Sequence, residues 1–87
     1  MYWDVTEVHS VAPRELAVTF ADGLRGLIYI DPSFCTGVFA PLKSDDMVCL
    51  ALTDNGVVVW PNGLDLAPDT MYQEIKRSPD RKYSLKR

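Results

Sequence analysis

The sequence predicts an α+β domain. It consists of a mostly antiparallel sheet of about five strands, including two hairpins, with a C-terminal helix packed on one face and a short helix or loop near residues 32–40. Three observations predict it. Strand-like segments flank Asp22-Gly23, and a second pair flanks Asn55-Gly56; both dipeptides favour the positive φ angles that tight hairpins need. A helix-like segment opens at Pro68 and stops before Pro79, the placement proline tolerates at a first turn and enforces at an end.

Trp3, Val5, Val8 and Val11 lie among polar residues and predict a first strand over residues 3–11, which Pro13 interrupts. Leu16, Val18 and Phe20 share one face of a second strand, because side chains alternate along an extended chain. After the Asp22-Gly23 turn the chain returns as Leu24–Ile30, with Gly26, Ile28 and Ile30 on the face of Leu24 and with Arg25, Leu27 and Tyr29 opposite. Asp31 is placed to cap a short turn opened by Pro32. Phe34, Val38 and Phe39 are expected to point inward before Pro41 ends that segment.

The continuous apolar run Met47–Leu52 suits a strand buried on both faces, although periodicity alone does not separate it from a buried helix. Val57–Trp60 carries three β-branched residues and returns as its hairpin partner. Pro61, Asn62 and Gly63 then turn the chain. Pro68 and Asp69 start the helix, Met71, Tyr72 and Ile75 form its apolar face, and Lys76 and Arg77 suit its negative end. The expected limits are one domain over residues 1–78 and an exposed basic tail over residues 79–87.

At 87 residues the chain buries a small core, roughly 60% of the surface its unfolded form exposes. No apolar run approaches the ~20 residues that span a bilayer, and Met1-Tyr2-Trp3-Asp4 lacks the basic and apolar regions of a signal peptide. A cytoplasmic protein without membrane contact is the expectation. Cys35 and Cys49 make no disulfide framework and read as free, buried thiols, although a single bridge between them violates no rule of sequence.

The net charge of −3 conceals an asymmetry. Residues 1–75 carry a net of −8, whereas Lys76, Arg77, Arg81, Lys82, Lys86 and Arg87 face only Asp80, a net of +5. This basic end reads as a solvated tail, a docking segment for an acidic partner, or a nucleic-acid contact. The acidic body would repel a polyanion, so partner docking or an idle tail is favoured over phosphate binding.

Chemistry-bearing residues are few. Asp65, between a turn and a helix start, reads as an acceptor for backbone N–H groups; a small enzyme using Asp65 with His9 or Tyr72 is the competing idea. Trp60 reads either as cover for the core edge or as an exposed anchor for a partner. Trp3 is divided evenly between core and surface. His9 has only Glu7 as a nearby carboxylate. Asp45, Asp46 and Asp54 lack calcium-loop spacing, and no zinc spacing or phosphate-cradling glycine loop occurs. No metal, cofactor or catalytic residue is expected.

Leu16–Gly23, then Phe39-Ala40-Pro41-Leu42, then Val59–Leu66 with Met71-Tyr72, occur in an order and spacing that resemble the DUF2442 family of small bacterial proteins of unknown function, over residues 5–75. The motif residues are Asp22, Gly23, Trp60, Pro61, Asn62, Gly63, Asp65 and Pro68. The resemblance implies an α+β fold and a stand-alone protein, often encoded beside a second small protein in a toxin–antitoxin-like pair. Other members resemble the front half of helix-turn-helix proteins, a version this chain is expected not to share. The family offers no catalytic residues to carry over. The expectation is therefore a non-enzymatic protein–protein interaction module, antitoxin-like or accessory, with a small partner encoded nearby. A homodimer is a second arrangement that an uncovered sheet face or edge allows.

Overall fold

The computed structural model describes residues 1–86. The α+β class holds, but the strands divide between two sheets. The first contains β1 (Val5–Ala12), β2 (Glu15–Phe20), β3 (Arg25–Ile30) and, far along the chain, a strand over Lys82–Leu85. All its pairings are antiparallel except the last, which runs parallel to β3.

In β1 the valines recur every third residue, and register shifts explain why. Val5 pairs with Phe20 and Val8 with Val18, so one extra residue on β1 lies between two inward-facing pairs. Such a bulge resets which side chains face the core. A second shift between Ser10 and Ala12 leaves Val11 exposed. β2 and β3 follow strict alternation, with Leu16, Val18, Phe20, Ile28 and Ile30 buried.

Between β3 and the second sheet the chain makes two 3-10 segments, Pro32–Phe34 and Gly37–Lys43, and a short helix α1 (Asp45–Val48). Asp31 caps the first of these, its carboxylate accepting the Ser33 N–H at 2.9 Å. Phe34 and Phe39 are half-buried and meet with ring centroids 4.8 Å apart, whereas Val38 is exposed. The central strand expected over Met47–Leu52 does not form. Asp45 and Asp46 occupy a first helical turn, where carboxylates are favoured. Only Val48 of the apolar run is fully buried, and Leu50 and Leu52 are exposed.

The second sheet is β4 (Leu52–Asp54), β5 (Val57–Val59) and β6 (Asp65–Leu66), all antiparallel. Asn55 and Gly56 form the β4–β5 turn with φ of 50° and 82°, the primed geometry that glycine makes accessible. α2 (Pro68–Arg77) follows, with Met71, Tyr72 and Ile75 buried as its spacing requires. It packs against β3 because Gly26 has no side chain: a Cβ there would lie 2.5 Å from the Ile75 Cγ2.

The expected exposed tail is instead mostly structure. Pro79 ends α2, Arg81 turns at φ 57°, and Lys82–Leu85 forms β7 beside β3. Leu85 is only 6% exposed. Burial of Leu85, with Tyr83 packed against the same core, favours docking of the segment, since alternation brings Leu85 to the core face beside Ile30. Arg87 lies outside the described residues.

Arg14 joins the two halves. Its backbone is left-handed at φ 62°, an arrangement that costs of order 1–3 kcal/mol in a non-glycine residue. Its guanidinium offsets this. Nε donates to the Ile30 carbonyl at 2.7 Å, and Nη1 and Nη2 donate to the Lys43 and Leu42 carbonyls at 2.8 Å. Its amide donates to the Asp45 carboxylate at 2.7 Å.

Two stability outcomes are expected in urea denaturation. Arg14→Ala keeps the strained backbone and loses the fork, lowering stability by about 3 kcal/mol, and Arg14→Lys recovers little of it because an ammonium cannot span three carbonyls. Leu85→Ala costs about 2–4 kcal/mol; a cost near zero would show that β7 contributes nothing to the fold.

Candidate functional site: an aromatic and basic groove beside the C-terminal helix

The site is built on the first hairpin turn and on α2. In the turn, the Gly23 N–H donates to the Phe20 carbonyl at 2.9 Å and the Phe20 N–H to the Leu24 carbonyl at 2.8 Å. The Asp22 carboxylate accepts the Leu24 N–H at 3.0 Å. Its other oxygen, Oδ2, accepts the Tyr72 hydroxyl at 2.5 Å. The turn thereby fixes one end of a tyrosine on α2.

That tyrosine organises a ring cluster. Phe20 meets Tyr72 edge to face at 5.2 Å, Tyr2 meets Tyr72 at 5.1 Å, and Tyr2 meets Trp3 at 4.8 Å. Aromatic pairs in such geometry add ≈ 0.5–1.5 kcal/mol beyond their buried area. The Lys76 ammonium lies 5.6 Å from the Tyr72 ring centre. Tyr2, Trp3, Tyr72, Lys76 and Arg77 line a groove of ≈ 330 Å³, to which Asp69 and Gln73 contribute from the same helix. Tyr2 remains 55% exposed.

The hydrogen bond between Asp22 and Tyr72 moves both groups. Accepting the Tyr72 hydroxyl, and then the Leu24 N–H, holds the Asp22 carboxyl below its ordinary range. Donating to Asp22, and then burial, pushes the Tyr72 phenol up. The carboxylate's contribution to stability is therefore present at neutral pH and lost as pH falls through its lowered value. The phenol's contribution is present below its ordinary range and lost as pH rises through its raised value.

The residues singled out in the sequence fare differently. Trp60 is 2% exposed, and its indole N–H donates to the Val48 carbonyl at 3.4 Å. It ties α1 to the second sheet and presents no surface to a partner, so the anchor reading is corrected. Pro61, Asn62 and Gly63 do form a turn: the Gly63 N–H bonds the Trp60 carbonyl and the Trp60 N–H the Leu64 carbonyl, both at 2.9 Å. Asn62, not Asp65, holds the backbone donor there, accepting the Leu64 N–H at 3.2 Å. Asp65 is exposed in β6 opposite Val59, and its carboxylate makes no hydrogen bond among the described residues. Pro68 occupies the first turn of α2 as expected.

Asp65 borders an apolar cleft with Phe34, Phe39 and Tyr83, apart from the groove that holds Tyr72. His9 lies 3.8 Å from Glu7 on the exposed face of β1. The structure therefore does not assemble Asp65, His9 and Tyr72 into one cleft. Cys35 is buried and accepts from Arg14 at 3.3 Å, but Cys49 is exposed, 3.3 Å from the Ser10 hydroxyl, so burial holds for one thiol alone. Among the described residues no group of His, Cys, Asp or Glu is placed to hold a metal ion, and no helix is long and apolar enough to cross a membrane.

The basic cluster is largely engaged within the chain. Arg81 donates to the Ile75 and Lys76 carbonyls and closes the end of α2. Lys82 pairs with Glu15 at 3.3 Å, and Arg77 pairs with Glu74 at 2.8 Å. Lys86 is exposed. Tyr2 and Trp3 as partners of the helix were not legible, because the first strand placed them in no particular relation to Tyr72.

Tyr72→Phe removes the bond to Asp22 without changing the ring. Its thermal midpoint is expected below that of the parent at neutral pH. The gap narrows as pH falls through the lowered Asp22 value and as pH rises through the raised Tyr72 value. A gap independent of pH would show that the pair carries no linkage.

No curated protein and no solved structure matches the chain. Residues 5–77, from the start of β1 to the end of α2, match the model of a family described as protein of unknown function (DUF2442), and the chain therefore belongs to that family.

Proposed function

We propose that the chain is a non-enzymatic protein–protein interaction module, the accessory or antitoxin-like half of a two-protein pair. One observation carries this reading. The exposed Tyr2 and half-buried Trp3 form a preorganised ring cluster braced on the buried Tyr72, beside Lys76 and Arg77. Tyr, Trp and Arg are the side chains that most often dominate binding energy at interfaces, and rings already held by one another lose little freedom on binding. The Lys76 and Arg77 cations favour a partner that presents an apolar side chain flanked by carboxylates.

This surface replaces Trp60 as the aromatic anchor and keeps Lys76 and Arg77 from the sequence reading. Nucleic-acid binding through the basic end has less support, because the net charge of −8 over residues 1–75 would repel a polyanion.

The test is coexpression with the product of an adjacent small gene, followed by size-exclusion chromatography with light scattering. A complex of fixed stoichiometry is expected, weakened at least tenfold by Trp3→Ala or by Lys76→Glu while thermal unfolding of the free chain stays cooperative. No complex, or one indifferent to both substitutions, overturns the reading.

A further inference from the structure

β7 is an open edge of the first sheet. At the opposite edge, the N-terminal part of β1 is covered by the second sheet, the Val5 N–H bonding the Gly56 carbonyl at 2.9 Å. β7 closes the order β1-β2-β3-β7. The edge strands of the second sheet, three and two residues long, are too short to template another strand well.

The direction of each peptide group on β7 follows from two bonds. The Leu27 N–H donates to the Arg81 carbonyl and the Asp31 N–H to the Leu85 carbonyl, both at 2.9 Å. Peptide groups alternate along a strand, so Arg81, Tyr83 and Leu85 point theirs at β3, and Lys82 and Ser84 point theirs away. The Lys82 N–H is taken by the Ser78 hydroxyl at 3.2 Å. The Lys82 carbonyl and both peptide groups of Ser84 face outward with no partner among the described residues. Beside them lies a groove of ≈ 430 Å³ bounded by Arg77, Lys82, Ser84 and Lys86, with Glu74 as its one acid.

We infer that this edge takes an extended, acidic peptide segment of a partner protein as a fifth strand of the sheet. The inference rests on the interaction-module reading and names a second surface for the same partner. Outward N–H and C=O groups together match a peptide backbone, whereas a nucleic acid offers phosphate acceptors to the N–H alone. A second copy of this chain fits poorly: a two-fold antiparallel pairing of β7 centred on Ser84 sets Lys82 of one copy against Lys86 of the other. Lysines on an edge strand discourage such self-pairing, and they do not discourage an acidic strand.

The probe is a short, acetylated and amidated peptide of alternating glutamate and valine, titrated into the full ¹⁵N-labelled chain. The Ser84 amide is expected to shift and to gain protection from solvent exchange. Ser84→Pro, which removes an outward N–H that β3 does not use, is expected to weaken binding about tenfold. Lys86→Glu, at an exposed position, weakens it with a reduced salt dependence, and Trp60 emission confirms the fold of both variants. The inference is overturned by an unmoved Ser84 amide, by equal binding of the lysine–valine peptide, by binding of an oligonucleotide alone, or by a wild-type dimer that Ser84→Pro dissociates. If the coexpressed complex depends on Trp3 while Ser84 stays silent, only the edge inference falls. If the peptide binds at Ser84 and no protein partner forms a complex, the interaction-module reading falls instead.

Discussion

Residues 31–51 contain no strand, so no β ladder secures them to the sheets. The donors of Arg14 do. One side chain gathers carbonyls from the end of β3 and from the close of the second 3-10 segment, while its own amide holds the first residue of α1. Magnitude decides that this arrangement survives its strain. A left-handed arginine costs of order 1–3 kcal/mol, and each hydrogen bond from a charged donor returns ≈ 1.5–3 kcal/mol. Several such bonds outweigh one unfavourable φ. Cys35 and Leu42 can then be buried without a ladder of their own, and Trp60 fastens the far end of the segment through the Val48 carbonyl.

Two turns of the same construction set the positions of the other large rings. Phe20-Ala21-Asp22-Gly23-Leu24 and Trp60-Pro61-Asn62-Gly63-Leu64 share three hydrogen bonds: glycine N–H to aromatic carbonyl, aromatic N–H to leucine carbonyl, and leucine N–H to the Asp or Asn side chain. Each turn opens on a buried aromatic at or just past the end of one strand and closes on a half-buried leucine just before the next. The third residue of each turn decides what else it reaches. Asn62 presents an amide where Asp22 presents a second carboxylate oxygen, and only that oxygen reaches α2 through Tyr72. The first turn therefore carries a tertiary contact as well as a local one.

Features governed by local chemistry were legible in the sequence. Both glycine turns, the alternation of Leu16, Val18 and Phe20, the buried face of α2 and its proline limits follow from rules that act within a few residues. What was illegible depends on distant partners. Met47–Leu52 has strand composition, yet Asp45 and Asp46 begin a helix that Arg14 anchors from thirty-one residues away. The basic end reads as a tail because its charges are conspicuous and Leu85 is a single apolar residue. Its docking depends on a parallel register with β3 that no local spacing announces. Trp60 reads equally as anchor or core until the Val48 carbonyl is in place.

α2 relates the groove to the open edge. The ring groove lies along one flank of the helix and the basic groove beside β7 along the other, and Arg77 borders both. The helix sits where Gly26 admits Ile75 and where Arg81 closes its last turn. The same Arg81 carbonyl receives the Leu27 N–H and begins the pairing of β7. Spacing between the two surfaces is consequently set by the pairing of β7 with β3, by Ile75 seated on Gly26 and by the Arg81 guanidinium at the end of α2. A partner that engages both meets a preformed geometry, and the ordering cost of association falls mainly on the partner's extended segment.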